Sequence, residues 1–352
     1  MPQYFAAAAA ARQGVRRALA RLGAPRAMVP IEAVAPMLAE ARERPFSAAG
    51  WVFELKYDGY RLLAGRSGAA AVRLLYRSGR DATAQFPELA QAVAALPFAA
   101  LVLDAEAVAL DAAGRPSFGL LQRRAQHGSA AAVLFVFDLL ACEGFDLRPL
   151  PLTVRKGMLR RVVAAADPQG PLRYVEEVDE RGEDLFAAVA EMGLEGVLAK
   201  RAASPYRAGR SADWLKVRVE RVGDFAIVGY GPPAPADLRR LHLAVRTPAG
   251  WHYAGSVGSG LDAAARGELS ARLRGRSPAR PGAAAAGKAV ARLVSADRQS
   301  VAIEPELVCE VRYQEWTADG RLRQPVFLRL RDDKPPEDCA PPGHDPGHPV
   351  AP

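Results

Sequence analysis

Glu54-Leu55-Lys56-Tyr57-Asp58-Gly59-Tyr60-Arg61 sets one lysine between an apolar run, Trp51-Val52-Phe53, and a glycine. Lysine is scarce in this chain. Of its 47 lysines and arginines only six are lysine, at positions 56, 156, 200, 216, 288 and 334. Where positive charge alone is needed, the chain uses arginine. Arginine is never deprotonated in a protein, whereas a lysine amine can become a nucleophile. Lys56 is therefore the first candidate for covalent chemistry. The spacing predicts a strand that delivers Lys56 at its end, a turn allowed by Gly59, and Arg61 just beyond it.

The length of 352 residues suggests two domains, and 50% hydrophobic with 24% charged residues is ordinary for a chain that buries a core. A net charge of +8 and a pI near 9.6 favour a polyanionic partner. Nucleic acid comes first and an anionic membrane surface second. A GC-rich genome, which loads proteins with arginine and alanine, would give the same surplus. Three widely spaced cysteines (Cys142, Cys309, Cys339) form neither a disulfide framework nor a zinc spacing. No apolar run has membrane-spanning length, and the first residues lack the basic start of a secretion signal. The expectation is a soluble protein of the reducing cytoplasm.

Residues 1–28 are rich in alanine and arginine and are expected to be a basic arm, either a helix or a flexible leader. From 29 to 218 short strands and helices alternate. Val52–Leu55, Ala71–Tyr76, Leu101–Leu110, Ala132–Leu140, Glu195–Lys200 and Asp213–Arg218 read as strands. Phe86–Ala95 and Asp184–Met192 read as helices, and the irregular connections predict an α+β domain with antiparallel sheets. From 219 to 334 strand-like runs at Asp224–Tyr230, Leu241–Thr247, Trp251–Val257 and Ala302–Gln314, with a helical pattern at Leu261–Leu273, suit a small β-barrel such as an OB-fold. Arg274–Gly287 reads as an insertion, and 335–352 as a disordered Pro-rich tail holding His344 and His348.

Further along lie pieces that are each modest alone. Arg77-Ser78-Gly79-Arg80 places two arginines around a glycine, either a phosphate site or a charged hairpin. Asp104 and Glu106 share one face of an apolar strand. Two acids there are costly without a cation, so a metal, a ribose or a salt bridge is implied. Phe135 and Phe137 share a face and would serve either as core or as a platform for a base. Glu195-Gly196 precedes Lys200, while Lys216 and Arg218 alternate on one strand face suited to phosphate or to solvent.

The order of these pieces is more specific than any one of them. Lys-x-Asp-Gly-x-Arg, Arg-Ser-Gly, Asp-x-Glu, Phe-Asp, Glu-Gly-x-x-x-Lys and Trp-x-Lys, closed by a basic motif, resemble the covalent nucleotidyltransferases: ATP-dependent DNA ligases, RNA ligases and mRNA capping enzymes. Gly50-Trp51-Val52-Phe53-Glu54, Ser204-Pro205-Tyr206-Arg207, Gly255-Ser256-Val257-Gly258-Ser259-Gly260 and Glu315-Trp316-Thr317 resemble the ligase domain of bacterial end-joining ligases of the LigD type, over roughly 29–334.

The resemblance implies an adenylation (nucleotidyltransferase) domain followed by an OB-fold, ATP with Mg²⁺ or Mn²⁺, and a nicked or broken DNA duplex. Lys56 would carry AMP. Glu54 and Phe137 would contact adenine, and Arg61 and Glu106 the ribose. Glu106 and Glu195 would hold metal, and Arg77, Lys200, Arg210 and Lys216 the phosphates. Arg218, where many ligases have a second lysine, keeps the charge on that nucleotide-binding face. Arg331 and Lys334 would sit on a barrel domain that closes over ATP. Kinship also implies a monomer near the nucleoid, with Ku and separate polymerase and nuclease proteins as partners. An RNA ligase, a capping-type guanylyltransferase or an inactive DNA-binding relative are the alternatives.

Overall fold

The structure is a computed structural model that describes residues 2–68, 70–127, 131–274, 287–297, 299–317 and 319–341. The chain divides into two compact units, Met1–Val219 and Glu220–Pro352.

The first unit holds two sheets. One runs β4(Arg73–Tyr76), β3(Tyr60–Arg66), β5(Leu101–Ala109), β6(Ala132–Cys142), β7(Phe145–Asp146), all antiparallel, with β8(Leu172–Tyr174) added parallel to β6. The other runs β1(Met37–Ala41), β11(Gly209–Arg218), β10(Gly196–Arg201), β2(Trp51–Leu55), β9(Glu177–Asp179), antiparallel except for the β1–β11 pair. Side chains alternate across a strand, and each sheet uses both faces. The outer face of the first sheet (Leu62, Ala64, Leu103, Ala105, Ala107) packs on α2(Pro87–Ala95) and α4(Leu152–Val163). The outer face of the second (Phe53, Val197, Ala199) packs on Val189 of α5(Gly182–Glu191). Between the sheets Met37, Leu63, Leu75, Val102, Phe137 and Trp214 form a further apolar cluster. The functional side chains line this inner space.

Helix α1(Pro2–Arg21) buries Val15 and Leu19 in the core of the unit, so the alternative of a flexible leader gives way to a docked helix. Helix α3(Phe118–His127) lies beyond β5. Several elements escaped the sequence reading, among them β1, α3, β7, β8 and β9, and also β3 and α4. Strand β3 follows the expected turn directly. Helix α4 reads Leu-Thr-Val-Arg-Lys-Gly-Met-Leu-Arg-Arg-Val-Val, whose central Gly157 and β-branched residues weaken helical propensity. Burial of Leu152, Met158, Leu159 and Val162 decides it instead.

In the second unit β14(Gly250–Val257), β13(Arg240–Thr247), β12(Arg221–Gly231), β15(Val301–Tyr313) and β18(Val326–Leu330) form one antiparallel sheet in that order. A short hairpin, β16(Glu315–Trp316) with β17(Leu322–Arg323), precedes β18. A parallel bridge between Ser259 and Val326 brings the chain after β14 against β18, which curls the sheet toward a barrel. At Gly260, φ is +83° and an added Cβ would strike the Phe327 carbonyl oxygen, so this closure requires glycine. Helix α6(Ala263–Leu273) is capped by Asp262, which accepts from the Ala265 N–H at 2.8 Å. Helix α7(Gly287–Ser295) buries Val290 and Val294.

Two expectations fall partly outside this description. Positions 275–286 of the expected insertion, and 342–352 of the tail with both histidines, lie outside the described residues. The part of the tail that is described is ordered: 335–341 includes a 3₁₀ turn, Pro336–Asp338, and Cys339 is fully buried. That packing corrects the reading of disorder from 335 onward.

Candidate active site

Lys56 stands one residue past β2, its N–H bonded to the Gly196 carbonyl at 2.9 Å. The strand end expected from sequence is therefore real. Gly59 has another reason than the one expected. Its φ is not left-handed. An added Cβ would meet the Ala107 carbonyl oxygen, so glycine is needed where β3 meets β5, not for a turn conformation. Gly196 has φ +147° and leaves no room for a Cβ against Val217, which lets the chain place Glu195 at the start of β10.

Period two now sorts the residues. β2 presents Glu54 and then Lys56 on the inner face, β10 presents Leu198 and Lys200, and β11 presents Trp214, Lys216 and Arg218. The register puts Glu54 opposite Leu198, and Leu198 opposite Lys216. Lys56 Nζ pairs with Glu195 Oε1, and Arg218 Nε lies 3.9 Å from the same oxygen. Lys216 is held below the ordinary lysine range, by burial first and then by Arg218, Arg210 and Lys56. The expected phosphate ligands Lys216, Arg218 and Arg210 are thus electrostatic neighbours. Arg210 is exposed, its guanidinium donating to the Ala39 carbonyl at 3.4 Å.

The other sheet supplies Arg61 and Glu106, directly paired across β3 and β5. Arg61 is locked in a bidentate pair with Asp104 at 2.8 and 2.6 Å, and Asp104 also accepts from Tyr206 Oη at 2.6 Å. Asp104 is thus the salt-bridged member of the Asp104/Glu106 pair, and Arg61 is committed to it. Burial pushes the Glu106 carboxyl up to about 8, against the opposing pull of Arg61 and Lys56 and with the help of Glu195 and Asp104. The Glu195 carboxyl is also raised, chiefly by burial, although Lys56 opposes it. Arg61, Glu106, Arg77, Ser78 and Arg80 border a cavity of about 650 Å³, in which Arg77 is exposed.

Glu106 and Glu195 fit a hard divalent cation. Both are oxygen donors whose ionised form is disfavoured by burial, a cost that a bound cation offsets. Among the described residues no group of three or more His, Cys, Asp or Glu gathers to make a full cage. One or two carboxylates, with phosphate and water completing the shell, is a pattern that suits Mg²⁺.

Two expected ligands are placed otherwise than the sequence suggested. Lys200, assigned to phosphate, is fully buried. Its ammonium pairs with Glu54 Oε2 at 2.5 Å and sits 4.5 Å from the ring centre of Phe137 and 4.3 Å from that of Trp214. It offers no exposed charge here. Burial lowers its pKa, with the nearby ammonium of Lys156 acting the same way and Glu54 opposing. Glu54, assigned to adenine, is 1% exposed and already holds both lysines, with Lys156 Nζ at 2.6 Å from Oε1. Phe137 is buried edge-on to Trp214. Its neighbour Phe135 stacks on Tyr57 with centroids 3.9 Å apart.

Lys156 is the residue that sequence reasoning missed. It lies on α4, 2% exposed, bonded to Glu54, to the Val175 carbonyl at 2.8 Å and to Glu177 at 3.1 Å. The signal was present, since Lys156 is one of six lysines in an arginine-rich chain. Only the packing of α4 against β6 brings it to Glu54. Tyr206 and Trp214 belong to the same inner layer. In the second unit, Arg331 pairs with Asp224 at 3.0 Å and with Asp333 at 2.8 Å, and Lys334 with Asp224 at 3.0 Å, so both basic residues meet at one carboxylate.

The family model described as "ATP dependent DNA ligase domain" matches residues 36–218, and that described as "ATP dependent DNA ligase C terminal region" matches 235–334. The multifunctional non-homologous end joining protein LigD of Pseudomonas aeruginosa is 38% identical over 311 residues, covering 86% of this chain and 36% of the relative. A probable DNA ligase of Streptomyces coelicolor is 33% identical over 337 residues, covering 87% of this chain and 61% of the relative. The chain thus spans little more than a third of the LigD length it matches. Among solved structures, mycobacterial DNA ligase D complexed with ATP and MES aligns at a TM-score of 0.53 and 33% identity, over 89% of this chain and 99% of that one. The fold is accordingly a nucleotidyltransferase domain followed by an OB-fold. Two family matches that together span most of the chain, over a sheet face that carries the lysine and its acidic and basic neighbours, show that the chain belongs to the ATP-dependent DNA ligases.

Proposed function

We propose that this chain seals 5′-phosphate/3′-hydroxyl breaks in duplex DNA with ATP, through AMP carried on Lys56, and that it serves double-strand break repair by non-homologous end joining. The observation that carries the reading is the placement of Lys56. It is a partly exposed amine at a strand end, with Glu195 at its tip and Lys216, Arg218 and Arg210 as its cationic neighbours.

The chemistry follows from the residues. The Lys56 nitrogen forms a bond to the α-phosphorus of ATP, and the bond to pyrophosphate breaks. The nucleophile must first give up a proton and leave its ion pair with Glu195. Lys216 and Arg218 stabilise the phosphate charge that builds up. Arg77 and Arg210, exposed and free of carboxylates among the described residues, are suited to phosphates of the substrates. AMP then passes to the 5′-phosphate of the break, and the 3′-hydroxyl displaces it. Glu106 and Glu195 are the residues that would hold Mg²⁺ or Mn²⁺, whose charge would offset that of the phosphates. The layer built by Glu54, Phe137, Lys200 and Trp214 is buried and would back the base rather than bind it directly. A monomer recruited by Ku, beside separate polymerase and nuclease proteins, fits the relatedness to LigD proteins.

The test is incubation with α-labelled ATP and Mg²⁺. The chain is expected to take up label, Lys56→Ala to take up none, and Lys56→Arg to be equally inactive because it supplies no neutral amine. Equal labelling of Lys56→Ala, or preferential labelling from GTP, would overturn the reading.

A further inference from the structure

We infer that helix α1 and the segment after it form a second contact for the phosphate backbone of duplex DNA, separate from the site around Lys56. This rests on the reading of the chain as an enzyme acting on duplex DNA.

The first 31 residues contain no acid, since the first is Glu32, and five arginines: Arg12, Arg16, Arg17, Arg21 and Arg26. They supply +5 of the net +8. The structure shows that this charge is displayed on a fixed element. Val15 and Leu19 anchor α1 in the core. Arg12 donates to Glu143 at 3.1 and 3.0 Å, and Glu143 in turn accepts from the Ala99 N–H at 2.5 Å. Positions 9, 12, 13, 16, 17 and 20 fall on one stripe of the helix. That stripe, with Arg26 and Phe145, borders a groove of about 520 Å³.

Only Arg12 of this group has a carboxylate partner among the described residues. Arg16, Arg17 and Arg26 are exposed and have none. Elsewhere the chain pairs arginines freely, as with Arg61, Arg148, Arg155, Arg207 and Arg331. Three like charges around one groove repel one another, and the only ring contact among them in the described residues, Arg26 over Phe145 at 5.4 Å, leaves their charge uncompensated. An anion from outside would compensate them. Several guanidiniums along a helix stripe match a row of phosphates better than a single one.

The test uses the full chain and the triple variant Arg16→Gln, Arg17→Gln, Arg26→Gln. Binding of a fluorescent nicked duplex is followed by anisotropy across a salt series, and labelling of Lys56 by ATP without DNA is measured in parallel. Each phosphate contact contributes about 0.9 to the slope of log affinity against log salt. The variant is expected to lose roughly 2 to 3 from that slope and to bind at least about tenfold more weakly at low salt. Labelling of Lys56 stays unchanged, which reports an intact fold. Unchanged slope and affinity in the variant, while the wild-type chain binds and seals the nick, overturn this inference alone. An equal loss on a single strand with the same number of phosphates overturns the assignment to duplex. Failure of the wild-type chain to bind nicked duplex at all overturns both this inference and the ligase reading.

Discussion

Glu54 and Lys56 stand two residues apart on the inner side of the same strand, and the fold treats them in opposite ways. Glu54 is 1% exposed, and each of its oxygens holds a lysine that is itself buried. Lys56 is partly exposed and tied at its tip to the Glu195 carboxylate, which Arg218 also approaches. One region is electrostatically closed and held from α4 and β10. The other keeps a charge that can be released. A base needs a fixed, desolvated surface. A nucleophile needs a partner it can leave. Buried pairs hold geometry because breaking them strands a charge; at Lys56 the carboxylate of Glu195 keeps Arg218 beside it when the lysine departs.

Three substitutions and conditions would break or sharpen that contrast. The largest effect is expected from the pair that supports the closed region. Arg155 and Asp138 are both fully buried in a bidentate pair at 2.8 and 2.9 Å, and Arg155 also donates to the Leu150 and Ser204 carbonyls. Arg155→Met leaves Asp138 charged and buried, so denaturant unfolding should show a loss of about 3–5 kcal/mol. A loss within 1 kcal/mol of zero would mean that the pair is not holding α4.

Next is Lys156→Met. Glu54 keeps Lys200 but loses its partner from α4. The ATP concentration dependence of single-turnover labelling should shift upward by about tenfold, roughly 1.4 kcal/mol, with a smaller change in the maximal rate. Sealing of a pre-adenylylated nick should fall less. If the maximal rate falls while the ATP dependence stays put, Lys156 serves the phosphate side and the contrast between the two regions is wrong.

The smallest effect is on pH dependence. Glu106 has a folded-state pKa raised to about 8 by burial, above the ordinary carboxyl value. Between those two values the folded state binds more protons than the unfolded state, so this group's contribution to stability is present in acid and is lost as pH rises through about 8. The melting temperature of the ligand-free protein should decline between about pH 5 and about pH 9, and Glu106→Gln should flatten the decline. A steeper decline in the variant would refute the assignment.

The contrast also shows what could be read without coordinates. Lys56, Arg77, Arg210, Lys216, Arg218 and the carboxylates Glu106 and Glu195 could all be put forward as candidates from the order of motifs and the resemblance it carries. Each lies on or beside a strand, where period two fixes the face. Lys200 could be named but not given its setting, because a strand pattern tells the face and not the depth. Glu54 was placed toward a base, and the two lysines that hold it could not be seen. Lys156 sits on α4, whose Gly157 hides the helix from propensity, and it is 102 residues from the glutamate it binds.

The sequence by itself determined the class of fold and the order of its two parts. It also marked Lys56 as the candidate nucleophile, since these depend on local patterns and on residue chemistry that survives in one dimension. Only the tertiary structure decided which charges are spent on each other and which are left for a substrate. Arg61 closes on Asp104, Glu54 on Lys156 and Lys200, while Arg16, Arg17 and Arg26 meet no carboxylate among the described residues. Partnership and burial are set by which strands and helices meet, and long-range packing fixes that where no spacing rule reaches.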